Sequence, residues 1–372
     1  METETGQREH LQLHPEATAR RDAMTDIDWE SFRRHVQSQL ADFLSGSRAA
    51  IDRPPEHGSP FWAGLQSALS GGKMTRPRLV RMAYLAHGGS DDRACAQLAA
   101  SFELLHAALL IHDDVIDRDF VRRGVPTLSA VYRDHALKLG QELEDAEHAG
   151  QSAAIIAGDL LLAGSIRLSS LAAVTGPDPV GVIEAMATAV VRSASGELDD
   201  LLYSLQSNTT SVANVLDMER MKTAAYSFEA PLAAGALLAG SGTQAAAQLG
   251  AVGRRIGIAY QIIDDVLGTF GNTLVTGKPV DSDLREGKHT ILSAYAATVC
   301  DFDAHVRGFR RGDLDIAGLR QLLRDCGAEE YARNLAAELV QKALVDLGSI
   351  TLTDAVRADF ESIAHYAINR GK

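Results

Sequence analysis

The sequence predicts an all-α protein, and three observations carry that prediction. Apolar residues recur at i, i+3 and i+4 from about Ile27 onward, the period of a helix face. The stretches between turn signals are long enough for helices and rich in Ala and Leu. Runs that alternate in strand fashion are almost absent. Helices without a sheet bury their apolar stripes on one another, so a single-domain helical bundle follows.

Taken in order, residues 1–27 are polar and aperiodic and are predicted to be a disordered tail. No composition shift divides residues 28–372, which are expected to form one domain. Trp29 to Leu44 reads as the first amphipathic helix. Breaks are expected at Pro54-Pro55, Gly71-Gly72, Gly88-Gly89, Gly124 to Pro126, Gly176 to Pro179 and Gly271 to Pro279. Residues 140–151 (GQELEDAEHAGQ) are acidic and bounded by Gly and are expected to be an exposed loop.

Among the 372 residues, Lys+Arg 36 against Asp+Glu 49 gives a net charge of −13, which argues against sequence-independent nucleic-acid binding. Hydrophobic residues at 46% and charged residues at 23% are ordinary for a globular chain, so no fibrous or low-complexity class is in play. Cys95, Cys300 and Cys326 show neither a disulfide framework nor a zinc spacing, which suits a reducing compartment. The first 24 residues hold no apolar signal core. The apolar run near residues 153–174 is broken by Asp159 and Arg167, and that from Pro231 to Gly240 is too short for a bilayer. A cytoplasmic protein without a membrane span is expected.

Two aspartate clusters carry the chemistry. Ile111-His112-Asp113-Asp114-Val115-Ile116-Asp117 follows the apolar stretch from Phe102 to Leu110. On a helix Asp113 and Asp117 share a face, and Asp114 sits about 100° round. Carboxylates this close repel one another, and at the end of an apolar helix a cation explains them better than solvent does. Oxygen-only ligands one turn apart suit Mg²⁺, which also reaches phosphate oxygens. The second cluster, Gln261-Ile262-Ile263-Asp264-Asp265, ends the apolar stretch from Ile256 to Ile263. Two such helices facing each other would clamp a metal-bound diphosphate between their tips.

Basic residues accompany each cluster. Arg122-Arg123-Gly124 follows the first, and Lys278 and Lys288, each preceded by Gly, follow the second. Gly71-Gly72-Lys73-Met74-Thr75-Arg76-Pro77 delivers Lys and Arg together from a flexible turn. Arg grips phosphate in bidentate fashion and Lys acts as a point charge. Each is unremarkable singly as a solvated charge; their repeated placement beside Gly and the Asp pairs points to a pocket for polyanions.

In this order the motifs resemble the trans-isoprenyl diphosphate synthase (polyprenyl synthetase) family over roughly residues 30–370. The DDxxD motif stands at Asp113 to Asp117 without a two-residue insertion, followed by Arg122-Arg123-Gly124 and Pro126-Thr127. The GGKxxRP element is residues 71–77, the Lys-Thr pair is Lys222-Thr223, and the second motif runs from Gln261 through Asp264-Asp265. Gly277-Lys278-Pro279 and Asp283 to Lys288 complete the set. Two departures stand out. Gly268 occupies the place of the second motif's usual third Asp, and the Gly-Gln-x-x-Asp element reads Gly196-Glu197-Leu198-Asp199-Asp200.

The resemblance implies an all-α isoprenoid synthase fold around a central cavity, and head-to-tail condensation of isopentenyl diphosphate with an allylic diphosphate. It implies Mg²⁺ held by Asp113, Asp117 and Asp264, with Asp114 and Asp265 orienting bound waters or sharing ligation. Arg122, Lys222 and Lys278 would contact the allylic diphosphate. Lys73, Arg76, His106 and Arg123 would hold isopentenyl diphosphate. His106 lies two turns before Asp113 on nearly the same face, which favours this role over a buried structural histidine. Thr223 and Gln261 would turn oxygen dipoles toward the allylic cation, and Lys288 would help close the pocket. Pyrophosphate itself can take the proton.

Leu105, Ala108 and Leu109, one to two turns before Asp113, are expected to floor the tunnel for the growing chain. With Ala at 108, no bulky aromatic stops the chain early, so a geranylgeranyl (C20) product is expected, ahead of C25 to C40 and then C15. A homodimer is implied by the resemblance alone. Two rival classes are a non-catalytic partner subunit, which Gly268 would suit, and a class I terpene cyclase, which has no need of the GGKxxRP pocket.

Overall fold

The computed structural model describes residues 26–52, 58–122, 124–206, 208–271, 284–285 and 287–370. Residues 1–25 of the expected tail lie outside them, as does the Pro54-Pro55 break. The first helix, α1 (Asp26–Ala49), outruns the Trp29 to Leu44 expectation at both ends. It is followed by α2 (Ser59–Leu69), α3 (Thr75–Ala86) and the long α4 (Asp92–Ile116). The all-α expectation holds: among the described residues the sheet is one short hairpin, β1 (Val121–Arg122) antiparallel to β2 (Val125–Pro126). Gly124 makes its turn at φ 76°, a conformation that costs a residue with a Cβ.

α4 is the axis of the bundle. Asp91 caps it by accepting from the backbone N–H groups of Arg93 and Ala94, offsetting two donors that an open helix end leaves unmet. Leu98, Phe102, Leu104, Leu105 and Ala108 are completely buried along it. Its last turn carries Asp113 and Asp114, and Asp117 is its C-cap.

α5 (Leu128–Lys138) and α6 (Leu143–Ala173) pack next to it. The loop expected at residues 140–151 is corrected here: the chain is helical from Leu143. Glu144 and Asp145 fall in the first turn, where negative charge suits the helix N-terminus, and the acidic run is therefore a helix start. Gly150 lets α6 approach the backbone of Ser129 on α5.

α7 (Pro179–Ser204) and α8 (Val212–Glu219) lead into a π-helical segment, Arg220–Glu229, and on to α9 (Ala230–Leu238). α10 (Thr243–Phe270) runs beside that segment. Its aspartates do not end the helix as expected; α10 continues to Phe270, because Val266 and Thr269 remain buried and sustain the pattern. The chain closes with α11 (Ile291–Val299), α12 (Phe302–Arg311), α13 (Ile316–Asp325), α14 (Ala328–Gly348) and α15 (Asp354–Asn369). α14 and α15 pack on α10, and α15 also reaches α3.

Two described helices, α4 and α6, are long and apolar enough to cross a bilayer, although none was expected to be. In α4 that apolar surface is mostly spent inside the bundle. In α6 less than half of the apolar stretch is buried, and α6 and α7 carry exposed apolar residues, including Ile156, Ile166, Val180, Val191 and Leu198.

Candidate active site

A cavity of about 1240 Å³ opens between α4, the π-helical segment, α10, the start of α3 and the end of α15. Asp113 enters from α4, and Asp264 and Asp265 enter from α10, so the two acidic clusters face one space. Ala107, Leu109 and Leu110 line the α4 wall and Phe228 the opposite one, which gives the polar mouth an apolar continuation.

Cations and one amide meet the acidic tips. The β-hairpin brings Arg122 onto both Asp114 and Asp113, the latter at 2.8 Å. Lys222 stands among Asp200 (2.6 Å), Glu197 (3.0 Å) and Asp113 (3.3 Å). Lys288 is bonded to Asp117. Across the cavity the Arg370 guanidinium pairs with Asp264 at 2.8 Å, and Gln261 donates to Asp265 at 3.0 Å.

Lys222 depends on its helix type. A π-helix is wider than an α-helix and appears mostly where function displaces the ordinary winding. Here it is seated by small residues on both sides. A Cβ at Gly196 of α7 would run into the backbone of Lys222, and one at Gly257 of α10 would come within 2.8 Å of Ala224.

The second cationic group surrounds Tyr226. Arg76 donates to Ser227 Oγ at 2.8 Å, lies 3.8 Å from Glu103, and stands over the Tyr226 ring at 5.1 Å from its centroid. His106 Nδ1 and the Tyr226 hydroxyl are 3.1 Å apart. Lys73 reaches the hydroxyl of Tyr366 on α15. Arg370 also covers the Tyr260 ring and donates to the Tyr260 carbonyl at 2.7 Å.

Burial and charge set the titration of this cluster. Burial pushes Asp114 up to about 6, against the pull of Arg122. Burial also raises Asp117, with Asp113 adding repulsion, and raises Glu197. Desolvation alone would lower Lys222, but Asp113, Asp200 and Glu197 outweigh it and hold the ammonium well above its ordinary value. Lys288 is raised likewise, burial being overcome first by Asp117. The cations therefore stay charged, and the carboxyl groups compete for positive charge.

The expected site residues gather as follows. Lys73, Arg76, His106, Leu109, Asp113, Arg122, Lys222, Thr223, Gln261, Asp264, Asp265 and Lys288 all line the cavity. Asp114 sits behind Arg122, and Asp117 borders an adjoining smaller pocket with Lys288. Leu105 and Ala108 do not line the cavity as expected; both are completely buried in the packing around α4. At about 100° per residue Leu105 falls about 80° and Ala108 about 140° round α4 from Asp113, on the side opposite to the lining residues Ala107 and Leu110. Leu109 falls within about 40° of Asp113. Arg123 and Lys278 lie outside the described residues.

The sequence reading left out Glu197, Asp200, Glu219, Tyr226, Tyr366 and Arg370, all of which line the cavity. Tyr226, four residues after Lys222, was findable by helical spacing. Arg370 and Tyr366 were not, because only the fold returns the C-terminus to the cavity.

The donor set fits Mg²⁺. It is oxygen-only, is split between two facing helices, and draws Arg122, Lys222, Lys288 and Arg370 onto itself. Among the described residues no three acidic, His or Cys side chains alone enclose an ion, which leaves the remaining positions to water and phosphate oxygens.

The fold and this cavity define a helical enzyme of diphosphate chemistry, with acidic tips for metal and a separate cationic subsite. Residues 63–307 match the polyprenyl synthetase family, and the chain belongs to it. It is a prenyltransferase, a polyprenyl diphosphate synthase. A geranylfarnesyl diphosphate synthase of Aeropyrum pernix is 35% identical over 299 residues, covering 79% of this chain and 88% of that one. A (2E,6E)-farnesyl diphosphate synthase of Mycobacterium tuberculosis is 30% identical over 311 residues, covering 80% of each. The crystal structure of a geranylgeranyl pyrophosphate synthase from Corynebacterium glutamicum, complexed with isoprenyl diphosphate and magnesium, superposes with a TM-score of 0.81 at 31% identity, covering 91% of this chain and 98% of that one.

Proposed function

We propose that this enzyme condenses isopentenyl diphosphate with dimethylallyl, geranyl or farnesyl diphosphate to an all-trans product, with geranylgeranyl diphosphate (C20) as its main release point. The observation that carries the reading is the meeting of Asp113 and Asp264 across one cavity that also holds a second, separate cationic group at Lys73, Arg76 and His106.

Asp113, Asp117 and Asp264 would hold Mg²⁺, which neutralises the charge that develops on the leaving pyrophosphate. Arg122, Lys222 and Lys288, now on carboxylates, are placed to turn toward the allylic diphosphate, and Lys278 belongs to the same proposal. Lys73, Arg76, His106 and Arg123 would hold isopentenyl diphosphate, which does not ionise. Thr223 and Gln261 would present oxygen dipoles to the allylic cation. The apolar wall at Leu109 and Leu110 keeps water from it.

C25 to C40 and C15 products remain the alternatives, since the relatives are named for products of different lengths. The exposed apolar residues of α6 and α7 support a homodimer. Location in the cytoplasm belongs to the same reading, in keeping with three free thiols. The test is chromatography of products from the purified protein, Mg²⁺, labelled isopentenyl diphosphate and each primer. C20 as the main product is expected. A main product of another length overturns the length assignment, and no turnover alone with rescue by a second subunit overturns the self-sufficient enzyme.

A further inference from the structure

Several cavity residues have no role in the scheme above, Glu219 among them. Glu219 ends α8, immediately before the π-helical segment, and is only 2% exposed although it lines the cavity. Neither of its carboxylate oxygens has a nitrogen or hydroxyl donor among the described residues, and the group within hydrogen-bonding reach of it is another carboxyl, that of Asp265. A charged group placed this way is costly unless something positive completes it. The groups that face it are acidic: the Asp265 carboxyl first, then Asp200. Both neighbours already have donors of their own, Gln261 on Asp265 and Lys222 on Asp200. α10 also lacks a third carboxylate one turn beyond Asp264, where Gly268 stands on the cavity wall.

We propose that Glu219 and Asp265 form a divalent-cation site, with Glu219 supplying from α8 the carboxylate that α10 lacks at Gly268. The inference rests on the metal-diphosphate reading of the cavity. Two carboxylates suffice, because Mg²⁺ keeps several waters and completes its shell with phosphate oxygens. The position also has a use in the reaction. An ion there adds positive charge to the second acidic tip, where this sequence is one aspartate short, and it sits at the entry to the segment that carries Lys222 and Thr223.

The test uses the full-length protein, Mn²⁺ as probe and inorganic pyrophosphate, with free Mn²⁺ read by electron paramagnetic resonance. Glu219→Gln keeps the size and hydrogen-bonding capacity of the side chain and removes its charge. It should lose one Mn²⁺ per chain or weaken one class of site by about tenfold or more. Adding Gly268→Asp to that variant should restore the lost binding. Unchanged stoichiometry and affinity in Glu219→Gln would overturn the proposal and leave Glu219 and Asp265 sharing a proton; absence of recovery would overturn the equivalence with position 268. If circular dichroism shows that Glu219→Gln does not fold, Glu219→Asp carries the same test, since a carboxylate one methylene short should weaken the site. Wild-type condensation activity is measured alongside. Glu219-dependent Mn²⁺ binding without condensation would sink the function and keep the site, and condensation with Glu219-independent binding would do the reverse.

Discussion

At the scale of single residues, burial decides how the acidic tips behave before any substrate arrives. Asp114 is raised from 3.8 to about 6 chiefly because it is buried. The folded chain thus holds that proton more tightly than the unfolded chain does. This group therefore favours folding below its ordinary value and loses that contribution as pH rises from 3.8 toward about 6. In thermal melts in EDTA, the wild type should lose stability relative to Asp114→Asn across that window, and the difference should stop changing above it. A constant difference would show that Asp114 titrates normally. The chain-length residues are tested at the same scale. Leu109 lines the cavity, so Leu109→Phe should shift products toward shorter chains. Ala108 is completely buried, and Phe there overpacks the core at a cost of about 1–3 kcal/mol, to be read as a lower Tm. Shorter products from Ala108→Phe with an unchanged Tm would return Ala108 to the tunnel.

The element that matters most is the π-helical segment, because its backbone places Lys222 among Asp113, Glu197 and Asp200. Its seat is built from glycines of α7 and α10, which let the helices approach to backbone contact. Gly196→Ala puts a methyl group into the Lys222 backbone, so the segment must shift. Small displacements of positioning groups cost on the order of 100-fold in rate. Gly196→Ala should therefore lower kcat/KM for the allylic substrate by about 10–100-fold while leaving the protein helical by circular dichroism. Wild-type kinetics would show that the segment absorbs the methyl group. The Gly-Glu-Leu-Asp-Asp departure is clear on this scale too: Glu197 stands in place of Gln and gives Lys222 an additional carboxylate partner.

On the scale of the whole molecule, the bundle buries most of the apolar stretch of α4 in its own core but less than half of that of α6, and it leaves several apolar residues of α7 exposed. Exposed apolar residues gathered on neighbouring helices are the expected signature of an interaction surface, and a second copy of the chain is the proposed occupant. Light scattering after size exclusion should give twice the 39.8 kDa chain mass. Val191→Asp with Leu198→Asp, on exposed positions of α7, should yield the monomer. A wild-type monomer at micromolar concentration would leave the surface without that partner. The C-terminus is the other whole-molecule feature: α15 returns to the cavity, where Tyr366 meets Lys73 and Arg370 meets Asp264.

The sequence by itself determined the helical class, the two acidic clusters, the cationic set and the family, since periodicity and motif spacing are local properties that survive without coordinates. It also placed Asp113 with Asp117, because one turn of helix fixes their common face. It mistook residues 140–151 for a loop, because an acidic run reads as solvent until a neighbouring helix packs against its small residues. Only the tertiary structure decided which flank of α4 meets the cavity, and so removed Leu105 and Ala108 from its lining. It alone brought Glu219 to Asp265 and Arg370 to Asp264. Those pairings join residues far apart in the chain, and such proximity comes from helix packing, which no local pattern encodes.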